Sequence, residues 1–230
     1  MFWPCLAGTT EARNLMSNQP DAGGGLRINV LFPTLLGEVW RPDHAALNAD
    51  LAAYIRERER RDRDFSPFTA VNQGWQSGPD FFDAEIPPIE TLKHFINQQI
   101  EAFLHEWGRV SFTAGVPSAF QYRYAGWAVI LRQGGFQHEH VHTKTDLIGI
   151  YYVEVPDSPA DLGNGNLTLI DPRAGRVATR AIWESAQYSV RPRPGTLLLL
   201  PSFLPHRVDQ MQAPGERISI NFDVTLENVS

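Results

Sequence analysis

Arg217-Ile218-Ser219-Ile220-Asn221-Phe222-Asp223-Val224 alternates polar and apolar residues without a break. Successive side chains of an extended chain point to opposite faces, so the run reads as a β-strand with one polar and one apolar face. We place the polar face inside, where Arg217 and Ser219 lie on the same side. The chain before it has the same character. From about residue 119, β-prone runs at Ala119–Tyr124, Gly126–Arg132, Leu147–Val155, Asn166–Ile170, Gln187–Val190 and Thr196–Leu200 alternate with Gly, Pro, Asn and Asp turns at Gly134-Gly135, Asp157–Gly165, Asp171–Gly175 and Pro192–Gly195. No helical period survives there, and such spacing predicts a sandwich or barrel.

The first half reads differently. Pro42-Asp43 offers a helix start, and Leu47, Leu51, Tyr54 and Ile55 follow at helical spacing. From Pro88 to Gly108, Leu92, Phe95, Ile96, Ile100, Phe103, Leu104 and Trp107 recur at three- and four-residue steps, which predicts a strongly amphipathic helix. Two such helices bury their apolar faces by packing on one outer sheet in a shared core. Arg27–Phe32 alternates and reads as a short strand before Pro33. Residues 64–86, with Asn72-Gln73-Gly74-Trp75-Gln76-Ser77, read as a loop carrying an exposed tryptophan. The run Arg56–Arg63 interleaves acids with arginines and reads as a solvated helix face. The expected organisation is an irregular arm over 1–26 and one domain over 27–230, mainly β with two packed helices, without internal repeats.

Composition narrows the function classes. The 230 residues carry 20 Lys+Arg against 26 Asp+Glu, a formal charge of −6, with 43% hydrophobic residues. That is the balance of a soluble globular chain, and its acidity argues against nucleic acid as a partner. No run is long and apolar enough for a membrane span and the N-terminus has no secretory pattern, so a cytoplasmic location is expected. The single cysteine, Cys5, excludes internal disulfides and multi-thiolate metal sites. It has no visible paired base and reads as an ordinary thiol. No nucleophile elbow, phosphate loop or dinucleotide fingerprint occurs.

A bound metal therefore has to use His, Asp or Glu. Gly134-Gly135-Phe136-Gln137-His138-Glu139-His140-Val141-His142 holds three of the seven histidines. Alternate positions share a face, so His138, His140 and His142 can present imidazoles together, with Glu139 pointing away. Neutral imidazole is a good ligand for ferrous, zinc or manganese ions, and two ligands two residues apart chelate from one side. A third ligand must come from elsewhere, and His206 follows the apolar strand Thr196–Leu200 where the chain turns back. Eleven residues on, Arg217 can hold a carboxylate by two parallel hydrogen bonds, with Ser219 adding another. His44, His94 and His105 fall in predicted helices without partners and read as structural or exposed.

These residues resemble the 2-oxoglutarate- and Fe(II)-dependent oxygenases. His140-Val141-His142, then Leu147-Ile148-Gly149-Ile150-Tyr151-Tyr152-Val153, then Asp171-Pro172-Arg173 are similar to an uncharacterised bacterial and phage branch of that superfamily. Asn72–Ser77 fits the branch too, and the resemblance runs from about residue 28 to 225. It implies a double-stranded β-helix, the cupin-like jelly roll, with Fe(II) at its mouth held by His140 and His206. It implies that Arg217 binds the distal carboxylate of 2-oxoglutarate, helped by Ser219, and that dioxygen is consumed while substrate is hydroxylated and succinate and CO2 are released. The superfamily usually presents His-x-Asp or His-x-Glu, whereas this chain has His142. The ligand set taken first is His140, His142 and His206; His138 is the competitor for His142, and Asp146 or Asp171 are alternative carboxylates. Trp75 and Trp127 are candidates for the substrate entrance.

Two other classes stay open on the sequence. A cupin-like metal enzyme that does not use 2-oxoglutarate would find three histidines natural and leave Arg217 for its substrate. A non-catalytic jelly-roll protein would hold structural zinc or no metal. The substrate, a small molecule or a peptide, is not fixed by these motifs, and a homodimer built through the helices or the arm is compatible with them.

Overall fold

The computed structural model describes residues 32–62, 70–111, 119–158, 164–173 and 185–227. The expected arm, Cys5 and all but the last residue of the Arg27–Phe32 strand lie outside these residues, as do parts of the turns after Asp157 and Asp171. In chain order the elements are β1 (Gly37–Trp40), α1 (His44–Arg61), β2 (Val71–Gln76), a short 3-10 turn (Phe81–Asp83), α2 (Pro87–Ser111), β3 (Gln121–His140), β4 (Leu147–Glu154), β5 (Leu167–Ile170), β6 (Gln187–Val190), β7 (Thr196–Pro201), β8 (His206–Val208) and β9 (Glu216–Glu227). The strands pair antiparallel in the order β1-β7-β4-β9-β3-β8-β5-β6, with β2 on β3. This is a mostly β, curled jelly-roll sheet with two flanking helices.

The strands through its middle are buried on both faces, and their alternation sorts residues into two cores. Tyr151 and Val153 of β4, Leu197 and Leu199 of β7 and Ile218, Ile220, Phe222 and Val224 of β9 pack with Leu47, Leu51 and Ile55 of α1 and Ile89, Leu92, Ile96, Ile100 and Phe103 of α2. Each such aliphatic side chain contributes about 2 kcal/mol by leaving water, and for α2 this burial rather than propensity secures the helix. The in-between residues, Ile148, Ile150 and Tyr152 of β4, Leu198 and Leu200 of β7 and Val129 and Leu131 of β3, meet Leu167, Leu169 and Val208 from β5 and β8. The sheet therefore closes over its own inner face, and the polar row of β9 lies within that fold: Arg217 and Ser219 are both fully buried.

Three expectations need correction. Ala119–Tyr124, Gly126–Arg132 and the histidine segment are one twenty-residue strand, β3, which pairs with β9 over Gln121–Arg132 and with β8 at Gln137 and His140. Gly134-Gly135 is a bulge within it rather than a separator. The pairing with β2 jumps from Leu131↔Gly74 to Phe136↔Asn72, and Gly134 takes φ 86, a left-handed conformation that favours glycine. The bulge lets one strand belong to both halves of the roll. Second, Asn72–Ser77 is not a loop, since Val71–Gln76 is β2; Trp75 is buried against the helices with its indole N–H donated to the Asp62 carbonyl at 3.2 Å. It does not border the histidines. Third, Arg56–Arg61 is a solvated face only in part, at Glu57, Arg60 and Arg61. Arg56 pairs with Glu154 and Glu216, Glu59 with Arg132, and the buried Arg58 with Asp62 and Asp80. Among the described residues no helix is long and apolar enough to cross a membrane.

Candidate metal and diacid site

The histidine cluster is assembled where three strand ends meet. His140, the last residue of β3, stands opposite His206, the first of β8, in the antiparallel register, and their ring centroids are 4.4 Å apart. The chain then leaves the strand. Val141 turns outward, and His142 returns inward as its N–H is donated to the Ser202 carbonyl at 3.1 Å. Its ring lies 5.2 Å from that of His140 and 5.3 Å from that of His206. One ligand nitrogen from each of the three lies within 4.8 Å of the others, and among the described residues this is the group of His, Cys, Asp or Glu that converges so. His138 stays outside it, edge-on to Phe136 at 4.9 Å. Asp146 accepts a hydrogen bond from the Leu226 N–H at 2.8 Å, and Asp171 is paired with Arg173.

Hydrogen bonds on the far side of each ring set the tautomers. His140 Nδ1 lies 2.6 Å from the His138 carbonyl, His206 Nδ1 2.9 Å from the Leu204 carbonyl, and His142 Nδ1 2.6 Å from the Asp223 carboxylate. All three partners are acceptors, so each neutral ring carries its proton on Nδ1 and keeps a lone pair on Nε2. Burial drives the His206 imidazolium down to about 3, with the charges of His140 and His142 acting the same way. Burial also lowers His140, against its bond to the His138 carbonyl. Neutral rings with oriented lone pairs are the form that coordinates a metal ion.

The cluster opens on a cavity of about 170 Å³, walled by the three histidines, Gln76, Trp127, Gln137, Ile148, Ile150 and Asn221 among others. Trp127 stacks on His142 at 6.0 Å between centroids and 14° between planes. Of the two tryptophans singled out, it is the one at the cavity.

Deeper along the inward row of β9 lies Arg217, 1% exposed. Its Nε donates to the Gly165 carbonyl at 3.1 Å and its Nη1 to Ser219 Oγ at 3.2 Å, and its plane sits 4.9 Å from the Tyr152 ring centre. Gly165 is at φ 63, and a Cβ there would press on Met211 and the Arg217 stem, so a glycine is required beside the guanidinium. No carboxylate among the described residues forms an ion pair with Arg217, and burial pulls its pKa down. A buried guanidinium using two of five donors, with no anion opposite among the described residues, is costly unless a charge arrives to answer it. Tyr152 Oη and Asn221 Oδ1 are also buried without hydrogen-bond partners. Tyr152 pairs with Ser219 and Ile150 with Asn221 across β4 and β9, so these orphan atoms lie on the same inward rows as Arg217. The donor set suits a bound carboxylate, and the imidazole set suits a divalent metal.

Sequence reasoning missed two contributors. Asp223 was visible as part of the polar face, but its bond to His142 spans 81 positions. Tyr152 carries no signal in the sequence beyond its β-prone run, and its place opposite Ser219 comes from the pairing of β4 with β9.

Residues 125–223 match a family model described as "Putative 2OG-Fe(II) oxygenase". Among solved structures, a Pseudomonas putida prolyl-4-hydroxylase is similar over 84% of this chain and 93% of its own, at 15% identity and a TM-score of 0.56. A Trichoplax adhaerens prolyl hydroxylase, solved with a hypoxia inducible factor peptide fragment, is similar over 83% of both chains at 14% identity and a TM-score of 0.55. Iron-bound HygX of Streptomyces hygroscopicus is similar over 84% of this chain and 82% of its own, at 13% identity and a TM-score of 0.53. At such identities these likenesses speak for the fold. No curated protein matches the sequence.

Proposed function

We propose, from the match of residues 125–223 to the family described as "Putative 2OG-Fe(II) oxygenase", that the protein is a 2-oxoglutarate- and Fe(II)-dependent oxygenase that hydroxylates an organic substrate with dioxygen and converts 2-oxoglutarate to succinate and CO2. His140, His142 and His206 hold the iron through Nε2. Arg217 grips the distal carboxylate of 2-oxoglutarate, with Ser219 and Tyr152 as further donors. The observation that carries this reading is Arg217 itself. A structural zinc site would account for the three histidines, but not for a fully buried guanidinium on the adjoining strand face with no anion beside it among the described residues.

The bound iron supplies activation of dioxygen, driven by oxidative decarboxylation of the diacid. The chain's own residues do the rest. The Nδ1 acceptors hold each imidazole in the ligating tautomer before metal arrives, so little reorganisation is needed on binding. Desolvation keeps His140 and His206 unprotonated across the neutral range. Arg217 fixes one end of the diacid by charge-assisted bonds in a dry setting, which sets the direction in which its other end reaches toward the histidines. Ile148, Ile150 and Trp127 form an apolar wall that limits water at the reacting centre. Substrate, a small molecule or a peptide side chain, enters on the open side of this cavity.

The decisive experiment is anaerobic titration of the Fe(II)-loaded protein with 2-oxoglutarate. The expected result is a visible charge-transfer band, lost in His206→Ala together with iron and needing far more 2-oxoglutarate in Arg217→Ala. Absence of the band in the iron-loaded wild type would overturn the reading.

A further inference from the structure

We infer that Asp223 is a positioning residue for the metal centre: from outside the ligand shell it supplies the negative charge that three neutral imidazoles lack, acting through His142. The inference rests on the three-histidine reading above and deepens it. His140 and His206 hand their Nδ1 protons to backbone carbonyls, which are neutral. His142 alone bonds a carboxylate, at 2.6 Å, with its side chain 14% exposed and that of Asp223 32%. Among the described residues Asp223 has no Lys or Arg ion pair, and His142 is its one salt-bridge partner. Its charge is thus free to act on the ring rather than being spent on a guanidinium.

The carboxylate is also fixed in place. Asp223 sits in the middle of β9, paired with Ala125 of β3 on one side and Ile148 of β4 on the other. His142 lies beyond the end of β3, where no strand pairing orients its ring, and two contacts do so instead: Trp127 on its face and Asp223 on its edge. A divalent ion with three neutral imidazoles carries a charge of +2, and a carboxylate one hydrogen bond further out brings the ensemble to +1. A carboxylate hydrogen-bonded to a ligating imidazole raises its basicity and holds its lone pair on the metal.

The test uses Co(II) as the probe, added to the full chain in a chelator competition, with the visible spectrum of the bound ion recorded. Asp223→Asn keeps shape and removes charge. Loss of such an outer carboxylate is expected to weaken Co(II) binding about 10- to 100-fold and to shift the cobalt bands, with circular dichroism unchanged. The second arm repeats the substitution in a His142→Asp background, where the ligand itself carries the charge and two neighbouring carboxylates repel. There Asp223→Asn should leave Co(II) affinity unchanged or raise it. Loss or reversal of the effect in the second background is something a merely structural residue would not produce.

Asp223→Asn binding Co(II) as the wild type does, or weakening it equally in both backgrounds, would overturn the inference and leave the ligand reading standing. A wild type that takes up no Co(II) would overturn both. Asp223→Glu and Asp223→Ser are measured alongside, and loss of the fold in every variant at 223 would make Asp223 structural and refute its role at the metal.

Discussion

Glu216 and Arg217 are neighbours in sequence and oppositely charged, yet they never meet. Strand alternation sends Glu216 to the helix side of β9, where it accepts from Arg132 at 2.7 Å and from Arg56 at 2.8 Å. It sends Arg217 to the interior, among Gly165, Ser219 and Tyr152, with no carboxylate ion-paired to it among the described residues. The outer arginines are half exposed and answered by acids: Arg132 alone engages Glu59 and Glu216, and these partners raise its pKa. The inner arginine is sealed and, among the described residues, unanswered. Charge on the outer face is paired within the chain, whereas the inner charge, unpaired among the described residues, is the one that the proposed function assigns to a ligand.

The largest expected effect is at the inner position. Arg217→Met removes a buried charge that no described residue neutralises, so the ligand-free fold should be as stable as wild type or more stable. The ligand-bound state should suffer heavily. Truncating one partner of a buried hydrogen-bonded ion pair costs about 2–5 kcal/mol, roughly 30- to 5,000-fold in 2-oxoglutarate affinity. Thermal unfolding with and without 2-oxoglutarate checks both halves. A variant that still gains stability from the diacid would break the comparison.

The histidines sharpen it by pH. The folded His206 is held at about 3, whereas the unfolded ring keeps its ordinary value of 6.5. Between those values the unfolded chain binds the proton and the folded one does not. Stability of the metal-free protein is therefore full above about pH 6.5 and falls progressively toward pH 3, at a slope of up to about 1.4 kcal/mol per unit. Urea midpoints of the metal-free wild type and of His206→Asn across this window should diverge, with the wild type declining and the variant flatter. Parallel curves would mean that the ring is not desolvated as described.

How much of this could be read beforehand follows from the range of each signal. Periodicity is local, so α1, α2 and most strands of the second half were legible, and the alternation of Arg217–Val224 announced a polar interior face. β2 was hidden because Asn72, Gln73 and Gly74 are turn-type residues; they serve the bulge opposite Gly134, and Gln73 itself takes φ 49. The charge run of α1 looks solvated because its partners Arg132, Glu154 and Glu216 lie 73, 98 and 160 positions away in sequence. Spacing alone makes His140 and His142 two positions on one strand face. The geometry is different, since β3 ends at His140 and the second ring comes back through the bond to Ser202. Spacing gave the residues that converge, and only the tertiary path gave the tautomers and the carboxylate behind His142.

The smallest effect belongs to the outer network, and its smallness is informative. Glu216→Gln removes the charge shared by Arg56 and Arg132 without opening a cavity. Exposed ion pairs are worth about 0.2–1 kcal/mol each, so the loss should be about 1 kcal/mol, shrinking with added salt. Glu216 has its folded pKa lowered by the bonds from Arg56 and Arg132, against burial. Its contribution is therefore present above the ordinary value of 4.5 and fades as the pH drops through the lower folded value, where wild type and variant should converge. Turnover and the 2-oxoglutarate requirement should not change, because the carboxylate faces the helices while the site lies on the opposite face of the same strand. A shift in the diacid requirement in Glu216→Gln, measured beside that of Arg217→Met, would mean that the two faces of β9 are coupled and that the division of charge between them is not as sharp as its alternation implies.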